Sequence, residues 1–234
     1  MNNNMVILDF KRGDVTGDKI IDNIYLVGKR LSRTESPFVD NITLIIQDGK
    51  TNNFTKIPLK ENAGYNPTIF LGDFTGDKVS DILISIDSGG SGGYAFYYIY
   101  SFINNTPKKI FDFEKFNQTY KYDVIYKDYY EVAVKVKNKK EEKKYIINIK
   151  YKGKEYLSDI YYANGKLKKS IKGWVNPLGG LYPIDFQRNG NYELYASQRI
   201  AGRYNADGLG YVQTSLKWNS KEFTPFFQTL GILG

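Results

Sequence analysis

The chain has no cysteine and no histidine among its 234 residues. Without cysteine it cannot form a disulfide, a thiol nucleophile, an iron–sulfur site or a cysteine-type zinc site. Without histidine, Ser-His-Asp triads and imidazole proton shuttles are excluded. An enzyme of this composition would have to use Asp, Glu, Lys, Tyr, Ser or a metal held by oxygen. Any metal site would be oxygen-only, which favours Ca²⁺ or Mg²⁺.

Long apolar runs are also missing. None reaches the ~20 residues of a membrane span. The start of the chain, from Met1 to Met5, lacks a basic segment followed by an apolar one, so it predicts no signal peptide. Proline is scarce, with 7 residues against 22 glycines, and aromatic residues make up 16%. Many turns and many aromatic side chains favour β-structure.

Positive charge is confined to one region. The net charge is +8, yet the stretch from Lys135 to Lys172 holds 13 lysines against four carboxylates, so the rest of the chain is close to neutral. The favoured interpretation is a solvated pair of lysine-rich strands, because lysine blocks edge-to-edge pairing. The alternative is a surface for a polyanion such as nucleic acid, teichoic acid or anionic lipid. The stretch lacks arginine and any nucleic-acid reader motif, which makes nucleic acid the poorest of these partners.

Two segments of the chain are nearly identical. GDVTGDKIID at 13–22 and GDFTGDKVSD at 72–81 each lead into an apolar run, and IDFQRNGNYE at 184–193 is a weaker copy. With a degenerate copy at Asp128, the pattern predicts a single domain over 1–234, built from repeats of about 57 residues. These repeats begin near Asp14, Asp73, Asp128 and Asp185.

Each repeat holds about four strand-like runs. In the second they lie at 82–86, 95–102, 108–113 and 121–126, and short helices are indicated only at 114–118 or 155–163. Four antiparallel strands per repeat are typical of a propeller blade. The sequence therefore predicts an all-β fold: a small β-propeller of four blades with four antiparallel strands each, five blades being the alternative. The strand at 6–10 would close the ring.

The acidic loops predict calcium sites. Oxygen-bearing side chains at loop positions 1, 3, 5 and 9, with a carbonyl at position 7, match the needs of Ca²⁺. An EF-hand is excluded because position 12 is Tyr25 or Ile84 and the flanks are strands. The predicted ligands are Asp14, Thr16, Asp18, Ile20 and Asp22 in the first loop, and Asp73, Thr75, Asp77, Val79 and Asp81 in the second. A weak third site would use Asp185, Gln187, Asn189, Asn191 and Glu193.

The G-D-x-T-G-D-K-x-x-D pattern resembles the FG-GAP/VCBS repeat of integrin-type propellers. The whole chain also resembles single-domain VCBS-repeat proteins of spore-forming Gram-positive bacteria. The resemblance implies a propeller, a Ca²⁺ ion in the acidic loop, and a place outside the cytoplasm in the cell or spore envelope. It implies no reaction. Lys19 and Lys78 depart from the family, where glycine is common, and Thr replaces an acidic or amide residue at position 3.

One further loop is a candidate ligand site. Arg203, Tyr204, Asn205 and Asp207 could recognise a carboxylate or a sugar, or could form a satisfied turn network. The predicted function is a calcium-binding, non-catalytic binding or structural module with a protein or glycan ligand. One alternative is a polysaccharide-active enzyme that uses Asp87 and Asp207 as paired carboxylates. The other is polyanion binding through the stretch from Lys135 to Lys172.

Overall fold

Strands dominate the computed structural model, which describes residues 5–30, 36–138 and 141–232. The N-terminal Met1–Asn4 and two lysines of the basic stretch, Lys139 and Lys140, lie outside the described residues. The strands are β1 (Met5–Gly13), β2 (Asp22–Arg30), β3 (Val39–Gln47), β4 (Phe54–Pro58), β5 (Tyr65–Gly72), β6 (Asp81–Asp87), β7 (Ala95–Ser101), β8 (Lys108–Asp112), β9 (Lys121–Lys127), β10 (Glu131–Lys137), β11 (Glu142–Asn148), β12 (Lys172–Ile184), β13 (Glu193–Ala201), β14 (Gly208–Trp218) and β15 (Phe223–Ile232). The helices are α1 (Phe113–Thr119) and α2 (Lys154–Ile160).

Two of the three sheets are four-stranded antiparallel sheets, in the orders β1-β2-β3-β4 and β5-β6-β7-β8. In β2, buried and part-exposed residues alternate, as expected when one face covers the core. Strand β6 is different, because Ile82, Leu83 and Ile84 are consecutive and all buried. A strand with both faces covered reads as a continuous apolar run. The second sheet therefore lies deeper in the molecule at β6 than the first does at β2.

The third sheet has seven strands, in the order β11-β10-β9-β12-β13-β14-β15. Strand β12 joins its two halves, since Lys172 and Gly173 pair with β9 and the residues from Trp174 onward pair with β13. Its outer strands approach each other, and Tyr145 Oη of β11 donates a hydrogen bond of 3.2 Å to the Gln228 carbonyl of β15. The sheet is thus nearly closed and barrel-like.

The propeller prediction is wrong, for both four and five blades. A propeller keeps its four-stranded sheets separate, whereas β12 makes the last seven strands one sheet. Gly173 permits this, because a Cβ there would stand 2.3 Å from the Ala201 carbonyl oxygen. Closure by the N-terminal strand is also wrong, since β1 is the outer strand of the first sheet and pairs with β2.

The all-β class and most individual elements are confirmed. The strands predicted at 82–86, 95–102, 108–113 and 121–126 are β6, β7, β8 and β9, and both short helices are present. Helix α1 begins after Asp112, whose side chain accepts a hydrogen bond of 2.9 Å from the Glu114 N–H. The error lies in the grouping of strands, because β9 pairs with β10 and β12 and not with β8.

Candidate functional site

The three acidic loops share one local structure. They connect β1 to β2, β5 to β6 and β12 to β13. In the first loop, Asp14 accepts hydrogen bonds from the N–H groups of Gly17 (2.7 Å) and Lys19 (2.9 Å). Asp73 accepts from the same two positions, at Gly76 and Lys78, whereas Asp185 accepts from the fifth and sixth positions, at Asn189 and Gly190. Each first aspartate therefore closes its own loop, as Asx turns do.

The hydrogen bond made by the side chain at the fifth loop position is also the same in all three loops. The side chains of Asp18, Asp77 and Asn189 each accept a hydrogen bond of 2.9 Å from the N–H two residues further on, at Ile20, Val79 and Asn191 respectively. Positive φ also recurs at the fourth and sixth positions of all three loops, which accounts for a glycine at one or the other of them. The residues concerned are Gly17, Lys19, Gly76, Lys78, Arg188 and Gly190.

The carboxylate at the ninth position of each loop has a structural role. Asp22 is fully buried and accepts hydrogen bonds from the N–H groups of Val15 (2.9 Å), Thr16 (3.2 Å) and Gly49 (2.9 Å). Asp81 accepts one from Phe74, and Glu193 accepts from the Phe186 N–H and from Gln187 Nε2. A buried carboxylate that satisfies backbone donors stabilises the turn around it.

The loops are also bonded to one another. The Ser80 N–H of the second loop donates to the Asp14 carbonyl at 3.2 Å, and the Tyr192 N–H of the third donates to the Asp73 carbonyl at 2.7 Å. The segment predicted as a degenerate copy differs, because residues 128–130 form a short 3-10 helix and Asp128 accepts from the Leu167 N–H. Three loops therefore form a connected row.

Two of the predicted calcium ligands, Asp14 and Asp22, accept backbone hydrogen bonds. Within the described parts of the chain, no group of three or more acidic side chains is arranged to hold a metal ion. Both oxygens of Asp14 and of Asp22 accept backbone N–H bonds. Calcium binding by these loops stays a prediction.

Asp81 should make stability depend on pH. Burial raises its pKa to about 7; Asp77 and Asp73 also raise it, while hydrogen bonds from Phe74 and Ser101 lower it. The folded state then holds the proton more tightly than the unfolded chain, where the pKa is about 3.9. Stability is therefore lost as pH rises from about 4 to 7, by roughly 2–4 kcal/mol.

The measurement is urea unfolding of the wild type and of Asp81→Asn at pH 5 and pH 8. Relative to the wild type, we expect Asp81→Asn to be more stable at pH 8 than at pH 5. The amide keeps an acceptor for the Phe74 N–H but carries no charge that would have to be buried at pH 8. Asp18→Asn, in the first loop, is the matched control and should keep the wild-type difference in stability between pH 5 and pH 8. If the free energy of unfolding changed between pH 5 and pH 8 by the same amount in the wild type and in Asp81→Asn, the raised pKa of Asp81 would be contradicted.

The loop from Ala201 to Gly210 is a hydrogen-bonded network around Asp207, whose side chain is 1% exposed. Asp207 accepts from the Arg203 N–H (2.8 Å), Tyr156 Oη (2.7 Å) and Lys152 Nζ (3.0 Å). The Arg203 guanidinium lies 4.5 Å from the centre of the Tyr156 ring. Of the four residues named from sequence, Asp207 and Arg203 are thus engaged internally.

Tyr204 and Asn205 complete that loop without joining the network through their side chains. Tyr204 is 55% exposed, and its carbonyl accepts from the Asp207 N–H. The two carboxylates of the proposed catalytic pair have different partners: Asp87 accepts from Asn66 Nδ2, whereas Asp207 is buried and accepts from Tyr126 and Tyr156. Paired carboxylates for glycoside hydrolysis must face one open cleft, and Asp207 does not.

A surface pocket of about 460 Å³ was missed by the sequence reasoning. It lies between α2, the turn that follows α2, and the 3-10 helix at 128–130. The only signal in the sequence was the mixture of lysine and tyrosine within the basic stretch. Its principal lining residues are Tyr130, Lys154, Leu157, Tyr161, Tyr162 and Lys168.

No helix among the described residues has the length and apolar character needed to cross a membrane. The location outside the cytoplasm and the protein or glycan ligand stay predictions.

Comparison with known proteins points to a different family from the one that the acidic loops suggested. The chain is 50% identical over 223 residues to "Uncharacterized protein YybI" of Bacillus subtilis (strain 168), which covers 95% of this chain and 84% of that protein. The family described as "YybI C-terminal domain" matches residues 120–231. No solved structure matches the chain. The resemblance to FG-GAP/VCBS proteins is therefore wrong: a shared loop pattern of about ten residues does not establish common ancestry.

Proposed function

This chain belongs to the YybI family, and we propose that it is a non-catalytic binding protein whose basic stretch, from Lys135 to Lys172, binds a polyanion. That stretch lies inside the family's C-terminal domain as matched here. The two nearly identical acidic loops, at 13–22 and 72–81, lie outside it. The proposal therefore concerns the part of the chain that matches the C-terminal domain of the family.

The observation that carries the proposal is the number of lysines without a carboxylate partner. Eleven of the 13 lysines in the stretch are described, and four of them form ion pairs: Lys135, Lys137, Lys143 and Lys152. The other seven make no ion pair within the part of the chain that the structure describes. Unpaired lysines on one surface attract anions and speed their association. These lysines are Lys144, Lys150, Lys154, Lys166, Lys168, Lys169 and Lys172.

The distribution of these lysines favours the segment around the pocket over the β10-β11 hairpin. In the hairpin, Lys135 and Lys137 share Glu142 and Lys143 pairs with Glu141. Around the pocket, Lys154 has neither an ion pair nor a hydrogen bond from its side chain within the described residues. An unpaired ammonium group gains a partner on binding without losing one. The proposed contact surface is therefore the segment from Lys150 to Lys168.

The test is binding of inorganic polyphosphate, measured by interferometry between 50 and 300 mM NaCl. We expect affinity to fall at least tenfold across this range, because salt screens exposed charges. The triple substitution K154Q/K166Q/K168Q should weaken binding at least tenfold. The matched control K135Q/K137Q/K143Q removes the same charge from paired lysines and should weaken it less than threefold. Equal losses in both variants, or binding insensitive to salt, would overturn the proposal.

Calcium binding by the two acidic loops is a second proposal. The observation that favours it is Thr75 Oγ1, a buried oxygen at the third loop position with no hydrogen-bond partner. An oxygen left in this state would gain from a cation ligand. The test is thermal unfolding of chelator-treated protein over a Ca²⁺ series, with Mg²⁺ as the control. A rise in Tm with Ca²⁺ that Asp77→Ala abolishes would support binding, and no rise up to millimolar Ca²⁺ would reject it.

A further inference from the structure

The pocket beside α2 has the walls of a sugar-binding site. Tyr130, Tyr161 and Tyr162 line it together with Leu157. The Tyr130 and Tyr161 rings meet edge to face, with their centres 4.8 Å apart. Aromatic side chains offer flat apolar surfaces with a polar tip, and such surfaces suit the C–H face of a pyranose ring. A volume of about 460 Å³ is within the range of small-molecule sites.

A polar group without a partner lies in this wall. Tyr161 is 3% exposed, and its hydroxyl is buried with no hydrogen-bond partner. Burial raises the pKa of Tyr161 to about 12, and Asp128, Tyr130 and Glu131 add to the rise, so the hydroxyl keeps its proton as a donor. Because this hydroxyl is out of reach, Tyr161 supports the neighbouring Tyr130 ring and does not itself contact a ligand.

Two ammonium groups border the same space. Lys154 lines the pocket, and its side chain has no hydrogen bond or ion pair among the residues described. Lys168 donates to the Ser158 carbonyl at 2.6 Å, and its Nζ lies 5.9 Å from the centre of the Tyr162 ring. The Lys168 ammonium is therefore held in place, and the Lys154 ammonium is free to pair with an acidic group of the ligand.

The backbone at the pocket wall is held in an unusual conformation. Tyr129 and Tyr130 are consecutive bulky residues with φ of 63° and 66°. The Tyr129 N–H donates to the Gly165 carbonyl at 2.7 Å, and the Tyr130 carbonyl accepts from the Ile149 N–H at 2.9 Å. Such left-handed conformations are strained for bulky residues and cluster at binding sites, where the surrounding structure must hold them. The wall is thus fixed before any ligand arrives.

We infer that this pocket binds one acidic sugar residue, with the pyranose ring against the accessible rings of Tyr130 and Tyr162 and the acidic group at Lys154 and Lys168. The inference rests on the proposed polyanion binding and makes the polyanion an acidic glycan. Phosphate-bearing and carboxylate-bearing sugars share this chemistry. A nucleic acid is disfavoured, because arginine is absent from the basic stretch and a bare polyphosphate would not use the tyrosines.

The experiment is an NMR titration of the full chain with five probes: glucose 6-phosphate, glucuronic acid, glucose, inorganic phosphate and uridine monophosphate. We expect at least one acidic sugar to bind tenfold tighter than glucose and tenfold tighter than inorganic phosphate. Comparison of the two acidic sugars identifies the acidic group. Equal binding of phosphate and glucose 6-phosphate would overturn the inference, and so would tighter binding of the nucleotide.

Variants separate the pocket from the basic surface. Tyr162→Ala removes an exposed ring of the pocket wall, so the variant should fold and bind the acidic sugar at least fivefold more weakly. Tyr204→Ala is the matched control, because Tyr204 is 55% exposed against 56% for Tyr162 and does not line the pocket. Lys154→Ala should weaken binding at least fivefold, whereas Lys169→Ala, which does not line the pocket, should change it less than twofold.

The two proposals can fail independently. If Tyr162→Ala binds acidic sugars as well as the wild type, the pocket inference is wrong whatever the result with polyphosphate. If acidic sugars bind and Tyr162→Ala weakens their binding, while polyphosphate binding is absent or insensitive to salt, the pocket inference holds and the wider basic surface does not.

Discussion

Asp207→Ala should destabilise the protein by about 3–5 kcal/mol, the range observed when one partner of a buried ion pair is removed. Lys152 would lose its carboxylate, and it is 18% exposed. Tyr126 and Tyr156 would also lose an acceptor within the same buried cluster. The measurement is urea unfolding at pH 7, with the free energy of unfolding extrapolated to water.

Two controls define what Asp207 contributes. Asp207→Asn keeps an acceptor but not the charge, so it should cost less than the alanine variant. Asp159→Ala removes an ion pair to Arg203 in which the aspartate is 62% exposed, and it should cost less than about 1 kcal/mol. A loss below 1 kcal/mol for Asp207→Ala would mean that the loop rearranges and that the network does not hold the third sheet together.

The contribution of Asp207 should disappear in acid. Burial raises the pKa of this carboxyl, but hydrogen bonds from the Arg203 N–H, Tyr156 and Lys152 outweigh burial and leave the pKa lowered. A lowered folded pKa stabilises above the unfolded value of about 3.9, and that stability is lost as pH falls through the folded pKa. The difference between wild type and Asp207→Ala should therefore shrink below about pH 4.

Asp22→Ala is the second large effect, with an expected loss of about 3 kcal/mol or more. The side chain accepts from three backbone N–H groups, and each one left unpaired in the interior costs about 1–3 kcal/mol. Gly49 belongs to the turn after β3, so the loss would also loosen the contact between that turn and the first acidic loop. Urea unfolding in chelator-containing buffer measures this effect without any contribution from Ca²⁺.

Asp18→Ala is the matched control in the same loop. Its side chain accepts one hydrogen bond from an exposed turn, so the expected loss is below about 1 kcal/mol. A large loss in both variants would show that the loop folds as one unit. A small loss for Asp22→Ala would contradict its structural role and leave metal binding as the better explanation for the aspartate.

Local structure was largely readable from the sequence. The runs at 82–86 and 95–102 are apolar and rich in β-branched or aromatic residues, and both are strands. The repeated Asp and Gly residues predicted three similar loops, and Asp14, Asp73 and Asp185 each accept a hydrogen bond from the N–H of the sixth loop residue. These features depend on neighbours within ten residues, which a sequence pattern records directly.

Strand grouping was not readable in this way. Regular spacing of loops suggested separate blades, but the spacing does not say which strand pairs with which. Strand β12 pairs on one side with β9 and on the other with β13 because Gly173 admits the Ala201 carbonyl. That contact joins residues 28 positions apart and depends on the fold around it.

The candidate sites also depend partly on local sequence pattern and partly on tertiary packing. The sequence by itself determined the all-β class, the acidic turns and the concentration of positive charge between Lys135 and Lys172, because composition and short-range pattern suffice for these. Only the tertiary structure decided that Asp22 and Asp207 are buried structural carboxylates, and that Tyr130, Lys154 and Tyr161 line one pocket. Burial and shared cavities arise from packing between distant segments, so no local pattern encodes them.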